Sequence, residues 1–355
     1  MNTSIKKSLT LALPLFMLAA SCSKDKTPDN NPDTGELKKE VLANIANNVC
    51  TASYEDMYAK TQELLTAVTA LNATTNDDNL ATARLKWKAI RVTWEQSEAW
   101  LFGPVESNNI DPRIDTWPVD FNLFNRALNG TDELNEAYVN GLDDAAKGFH
   151  PIEFLLWGQN GNKTAAQFTT REKQFLLALT QNLTSLTKEV RDTWTNGYNN
   201  QLATAGNGSA EFSTQTAAFV QVADGMAGIC DEVANGKMKE PFDTRDPSKE
   251  ESPFAKNSTI DFTNNIQGIL AIYQGRFTKD GKGLEDIVRE SNLSLDNEIK
   301  SKHAAAISAL QAIDKPFGEA ITSEESKVQN AMDKVNDLAE VIDGKLKPFL
   351  QQYTK

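Results

Sequence analysis

Apolar residues recur three and four positions apart through most of this chain, the spacing that lines one face of a helix. Val41, Ile45, Val49, Leu64, Leu65 and Val68 carry the pattern through a first helix, from about Leu37 to Leu71. Asn76-Asp77-Asp78-Asn79 offers caps for a second, from about Leu80 to Leu101, which Gly103-Pro104 stops. The segments Asn108-Asn109-Ile110-Asp111-Pro112 and Asp115-Thr116-Trp117-Pro118 cannot continue a helix, so the chain is loop-rich to about Leu142. A short helix carrying His150 follows and ends near Gly158. Long helical patterns then cover about Thr169–Trp194, Ala210–Asn235, Ser258–Tyr273, Ser294–Ala312 and Ser323–Leu350. Strand-like alternation is essentially absent, which predicts an all-α body.

Gly158-Gln159-Asn160-Gly161-Asn162 is the best boundary, a turn-rich linker between two periodic regions. It divides the body into residues 37–162 and 163–355, and the simplest architecture is two helical-bundle domains packed side by side. Five of the six tryptophans, Trp87, Trp94, Trp100, Trp117 and Trp157, fall in the first half and are assigned to its core.

The N-terminus changes the picture of where the protein works. Lys6-Lys7, an apolar run from Leu9 to Ala20, and Leu18-Ala19-Ala20-Ser21-Cys22 have the layout of a bacterial lipoprotein signal. Residues 1–21 are then the signal peptide, Cys22 the acylated first residue, and residues 22–36 a polar tether that can bury no apolar area. The expected location is the outer membrane, facing the periplasm or the cell surface. Loss of Lys6 and Lys7 leaves 34 basic against 49 acidic residues, a mature charge of −15. So acidic a body argues against nucleic-acid binding and leaves the lipid anchor as its contact with the membrane. Cys50 and Cys230 remain, with no spacing that requires or forbids their pairing, and there is no Cys-x-x-Cys.

Candidate chemistry centres on Gly148-Phe149-His150-Pro151-Ile152-Glu153, because the chain has only two histidines, His150 and His303. A His and a Glu three residues apart can share a helical face as metal ligands. The same six residues also read as a helix start, with His150 as N-cap, Pro151 at the first position and Glu153 closing a capping box. Upstream, Arg91, Glu95 and Glu98 line one helical face at i, i+4 and i+7. Trp94 and Leu101 flank that face, so it is not simply the solvated side, and its carboxylates need partners. Arg113 and Asp115 sit in a rigid turn, and the segment from Asp243 through Glu250-Glu251-Ser252-Pro253-Phe254 to Asp261 enters a helix whose expected cap is Ser258.

In order along the chain stand Trp-Glu-x-x-Glu with Phe-Gly-Pro, Ile-Asp-x-Trp-Pro, Gly-x-His-x-x-Glu before Leu-Leu-Trp-Gly, and Glu-Ser-Pro-Phe. This set resembles the imelysin-like proteins, also called the imelysin peptidase family, over roughly residues 37–350. The resemblance implies two helical bundles with a site near their junction, and an exported, often lipid-anchored protein linked to iron uptake. Its motif positions fall on Gly148, His150 and Glu153, with Glu95, Glu98, Asp115, Glu251 and Ser252 as further matches.

The leading expectation is an iron-uptake lipoprotein that binds a metal ion or metal chelate in the cleft between its domains, in company with a partner protein. His150 would be a ligand, with Glu153, Glu98, Glu95 and Asp115 supplying charge or orientation. Arg91 or Arg113 would fix the carboxylates, with Trp94, Glu251 and Ser252 in support. One His with scattered carboxylates suits iron, or another divalent metal, better than a tightly held catalytic zinc. A metallopeptidase with Glu153 as base beside a His150-bound metal is the second reading, although the two-histidine zincin pattern is missing. The third is a helical surface protein whose motifs only fix its domain junction.

Overall fold

The structure is a computed structural model that describes residues 32–354; Cys22 and the signal-like segment lie outside the described residues. It is all-α, with no strand among the described residues. The first helix begins earlier than the apolar pattern indicates: α1 (Pro32–Asn44) continues through a π-helical turn, Ile45–Thr51, into α2 (Ala52–Ala73). Then come α3 (Asp77–Ser97), the short α4 (Asp111–Asp115) and α5 (Phe149–Trp157). They are followed by α6 (Thr170–Thr193), α7 (Gln215–Asp231), α8 (Ser258–Gln274), α9 (Leu284–Ser291), α10 (Leu293–Gln311), α11 (Glu325–Val341) and α12 (Lys347–Tyr353).

Local chemistry sets several of these ends. Asn76 caps α3 by accepting from the Asn79 N–H, with Asp77 and Asp78 in the first turn at the positive end of the helix dipole. Thr169 and Glu172 form a reciprocal capping box on α6. Ser258 does not cap α8: the cap position is Asn257, and the Ser258 hydroxyl is drawn into the network that holds Glu250.

α3 is the shared wall of the molecule. It packs along α2 on one side and α8 on the other, while α6 packs along α2 and touches α5. α8, α10, α11, α7 and α12 form a second packed group. A boundary after Asn162 would separate α6 from α2, the helix it packs along. Trp87, Trp94, Trp100 and Trp194 are fully buried and Trp157 nearly so, whereas Trp117 is only partly covered. Cys50 and Cys230 are buried and free. No helix among the described residues is long and apolar enough to cross a membrane.

Two glycines set the approaches that build the site. Gly268 on α8 lies against the Gln96 carbonyl of α3, where a Cβ would collide with backbone. Gly148 has φ 85°, and a Cβ there would strike the Ile114 carbonyl at the end of α4. The first contact brings α8 onto the acidic face of α3. The second seats the start of α5 on the turn that carries Asp115.

Candidate functional site

Arg91 has no exposed surface, yet it stands on the apolar face of α3 at the centre of a carboxylate cluster. Its Nη1 meets Asp115 Oδ1 at 2.5 Å and its Nη2 meets Glu251 Oε1 at 2.7 Å. Nη2 also pairs with Glu95 one turn along α3, and Nε faces Asp261 at 3.5 Å. A second cation, Lys237, reaches Glu98 at 2.9 Å and Glu251 at 3.0 Å. Asn265 of α8 donates through Nδ2 to Glu95 Oε2 and Glu98 Oε2. Removing one partner from so buried a set would leave charges uncompensated, a loss of about 3–5 kcal/mol.

His150 adjoins this cluster and is almost completely covered. Its Nε2 lies 3.1 Å from Asp115 Oδ1 and its Nδ1 lies 3.2 Å from Glu153 Oε2. The other Glu153 oxygen accepts from the Ala255 N–H at 2.6 Å. Asp115 Oδ2 accepts from the Trp94 indole N–H at 2.6 Å. Every one of these groups is aimed by packing: Trp94 and Phe149 pack ring to ring, and the Trp117 ring stands 4.9 Å from the imidazole in an edge contact.

The capping-box reading of Gly148–Glu153 is therefore corrected. α5 starts at Phe149 with Gly148 in the cap position, so His150 lies inside the first turn. Glu153 turns inward to the imidazole and to Ala255 rather than back to a cap N–H.

Burial and charge oppose one another here. For His150, burial favours the neutral ring, but the hydrogen bonds to Asp115 and Glu153 outweigh it and push the pKa up to about 9. For Asp115, burial is overcome by Arg91 and His150, which hold the carboxyl well below its usual range. Glu95 and Glu98 go the other way: burial, reinforced by neighbouring carboxylates, outweighs Arg91 and Lys237 and drives both well above theirs. Asp261 is pushed up to about 6, again mainly by burial. Six carboxylates, Glu95, Glu98, Asp115, Glu153, Glu251 and Asp261, thus face three cationic groups, Arg91, Lys237 and His150. The cluster holds more acids than the chain's own cations pair, and Glu95 and Glu98 absorb the excess by favouring the protonated form.

Within it, one ligand atom each from Asp115, His150 and Glu251 lies within 4.8 Å of the other two. Glu251 Oε2 is buried and accepts no hydrogen bond among the described residues. One imidazole nitrogen and two carboxylates form a donor set for a hard or borderline cation. Glu153 on Nδ1 is the kind of partner that orients a ligating imidazole through its other nitrogen. The residues present fit a metal ion, and Arg91 and Lys237 would share the carboxylates with it.

The remaining expected residues divide. Arg91, Trp94, Glu95, Glu98, Asp115, His150, Glu153 and Glu251 converge, drawn from α3, α4, α5 and the segment before α8. Arg113 points elsewhere and pairs with Glu189 of α6 at 3.4 Å. Ser252 enters the network by its backbone N–H, which donates to Ser258 Oγ. His303 is far from a second ligand role; its Nε2 lies 3.0 Å from the Ile266 carbonyl and burial lowers its pKa. Lys237 and Asn265 were not among the expected site residues, and Asp261 closed a candidate segment without a role of its own. Asp261 and Asn265 are four apart among Phe262, Ile266 and Ile269, so a polar pair on an apolar face was the available signal.

An all-helical protein with a buried histidine–carboxylate cluster walled by α3, α5 and the segment before α8 is the class that this geometry defines. The family model described as Imelysin, a peptidase M75 group, matches residues 50–343, and the chain belongs to that family. It is 27% identical over 317 residues to Iron-regulated protein A of Synechococcus elongatus, covering 86% of this chain and 85% of that one. Among solved structures, a candidate iron-regulated protein A precursor from Parabacteroides distasonis aligns with a TM-score of 0.82 at 23% identity, over 90% of this chain and 95% of its own. An imelysin-like protein from Psychrobacter arcticum aligns with a TM-score of 0.72 at 14% identity, over 89% and 96% of the two chains. At those identities the structures speak to the fold.

Proposed function

We propose that this protein serves iron uptake by binding a metal ion, iron first, at Asp115, His150 and Glu251, while anchored to the outer membrane through acylated Cys22. The observation that carries the reading is the buried triad itself, with the Glu251 oxygen that accepts no hydrogen bond among the described residues. The excess of carboxylates over cations supports it, since a bound cation would take the place of the protons that Glu95 and Glu98 favour. The relative named Iron-regulated protein A supports iron over other metals. Bound there, the metal would be held by two carboxylates and one imidazole; Glu153 would fix the ring, Trp94 would fix Asp115, and Arg91 and Lys237 would balance the outlying carboxylates.

The peptidase alternative gains little from this geometry. Glu153 is fully buried, and each of its oxygens is already engaged, by His150 and by Ala255. A general base must reach a water or substrate, and this carboxylate instead positions a ring.

Anaerobic calorimetric titration of the full chain with ferrous iron tests the proposal. Saturable binding is expected, lost in His150→Ala and Glu251→Gln, retained in Arg113→Ala, and weakened roughly 10–100-fold in Glu153→Gln. Absence of binding by the wild-type chain, or full retention in the two ligand variants, would overturn it.

A further inference from the structure

Trp117, which contacts the His150 imidazole, also lines a cavity of about 370 Å³ whose wall includes none of the cluster residues. Trp117, Phe121, Pro253 and Phe254 form much of its wall. The rings stand edge to face, Phe254 at 6.0 Å from Trp117 and 6.2 Å from Phe121. Gln159 is an exposed position of its lining, and Glu250 is the charged residue there.

Glu250 is an unusual side chain for such a wall. Only 5% of it is exposed, and both of its hydrogen bonds among the described residues fall on one oxygen: Oε2 accepts from Ser258 Oγ at 2.8 Å and from the Gly318 N–H at 3.1 Å. Oε1 accepts none among the described residues, and it is the oxygen that a side chain at Gly318 would strike. Adjacent carboxylates therefore serve different places: Glu251 turns to Arg91 and Lys237, while Glu250 is locked by one oxygen with the other left free beside an aromatic cavity. Oε1 is thus left to solvent, and a donor or cation entering the cavity replaces water at a carboxylate oxygen already held in place by Ser258 and Gly318. Aromatic faces next to it favour the same sign of charge.

We propose that this cavity is a second ligand site, selective for a small organic cation whose ammonium meets Glu250 Oε1 and whose apolar body packs on Trp117, Phe121 and Phe254. The volume lies at the lower end of the range for small-molecule pockets. An anion finds no basic side chain in the lining, and a bare metal ion finds only one carboxylate. None of Asp115, His150 and Glu251 lines this cavity.

Calorimetric titration of the full chain with phenethylamine, against its neutral analogue 2-phenylethanol, tests this. Saturable binding of the amine is expected, weaker by roughly tenfold or more for the alcohol and for the Glu250→Gln variant. Gln159→Trp, at an exposed position of the lining, should fill the mouth and abolish binding even if Glu250→Gln proves unstable. The proposal falls if the wild-type chain fails to saturate at millimolar amine, if the alcohol binds equally well, or if both variants bind like wild type.

Discussion

Ionisation at single residues is where this fold departs most from ordinary chemistry. Asp111, one turn before Asp115, is pushed up to about 7, by burial first and then by the charges of Asp115 and Glu232. A carboxyl whose folded pKa is raised binds its proton more tightly in the native state than in the unfolded one. Its stabilising contribution is therefore complete below the ordinary value near 3.8 and is lost as pH rises through about 7. Asparagine resembles the protonated form at every pH. Asp111→Asn should thus gain about 1–2 kcal/mol on wild type between about pH 5 and pH 8, discounted for the solvent that reaches this side chain. Urea unfolding of both proteins at the two pH values measures it, and a pH-independent difference would refute the assignment. At the same scale, Arg91, Glu95 and Glu98 were readable as a buried face because large apolar residues flank their i, i+4, i+7 spacing. Lys237 was not, because it enters from a π-helical turn whose sequence carries no periodic mark.

Elements were legible where periodicity ran long and caps were strong. The starts of α3 and α6 follow from Asn76 and from the Thr169–Glu172 box, and the long apolar patterns of α8 and α10 fall where the spacing places them. α9 was missed because Gly281 and Gly283 sit just before it and Asn292 just after, giving eight helical residues the look of a loop. The expected helix over Ser323–Leu350 runs from α11 through a π-helical turn around Gly344 into α12. The junction of α4 with α5 could not be read at all, since it depends on a backbone contact between residues 34 positions apart. Gly148→Ala tests that junction. With φ at 85° and the Ile114 carbonyl in the way, the variant must shift α5 from α4. It should lose at least about 1–3 kcal/mol of stability and, because Asp115 and His150 separate, lose ferrous binding as well. Loss of stability with binding untouched would mean that the glycine serves only the fold.

For the whole molecule, charge and anchoring bear on each other. If the chain is processed at Cys22 as proposed, its mature body of charge −15 would be repelled by anionic headgroups, so electrostatics would supply no second membrane signal of the kind that supports a weak lipid anchor. Nor is there a helix among the described residues that could span the bilayer. Retention at the membrane would then rest on the acyl chains at Cys22. The proposal accordingly predicts an all-or-none result: wild type partitions into the detergent-extracted membrane fraction, and Cys22→Ser is released. High salt should not detach the wild type, because no attraction between opposite charges holds it. Fractionation followed by immunoblotting measures both effects. Persistent membrane association of Cys22→Ser that salt removes would instead point to a protein partner, docked through charged surface on the helical body.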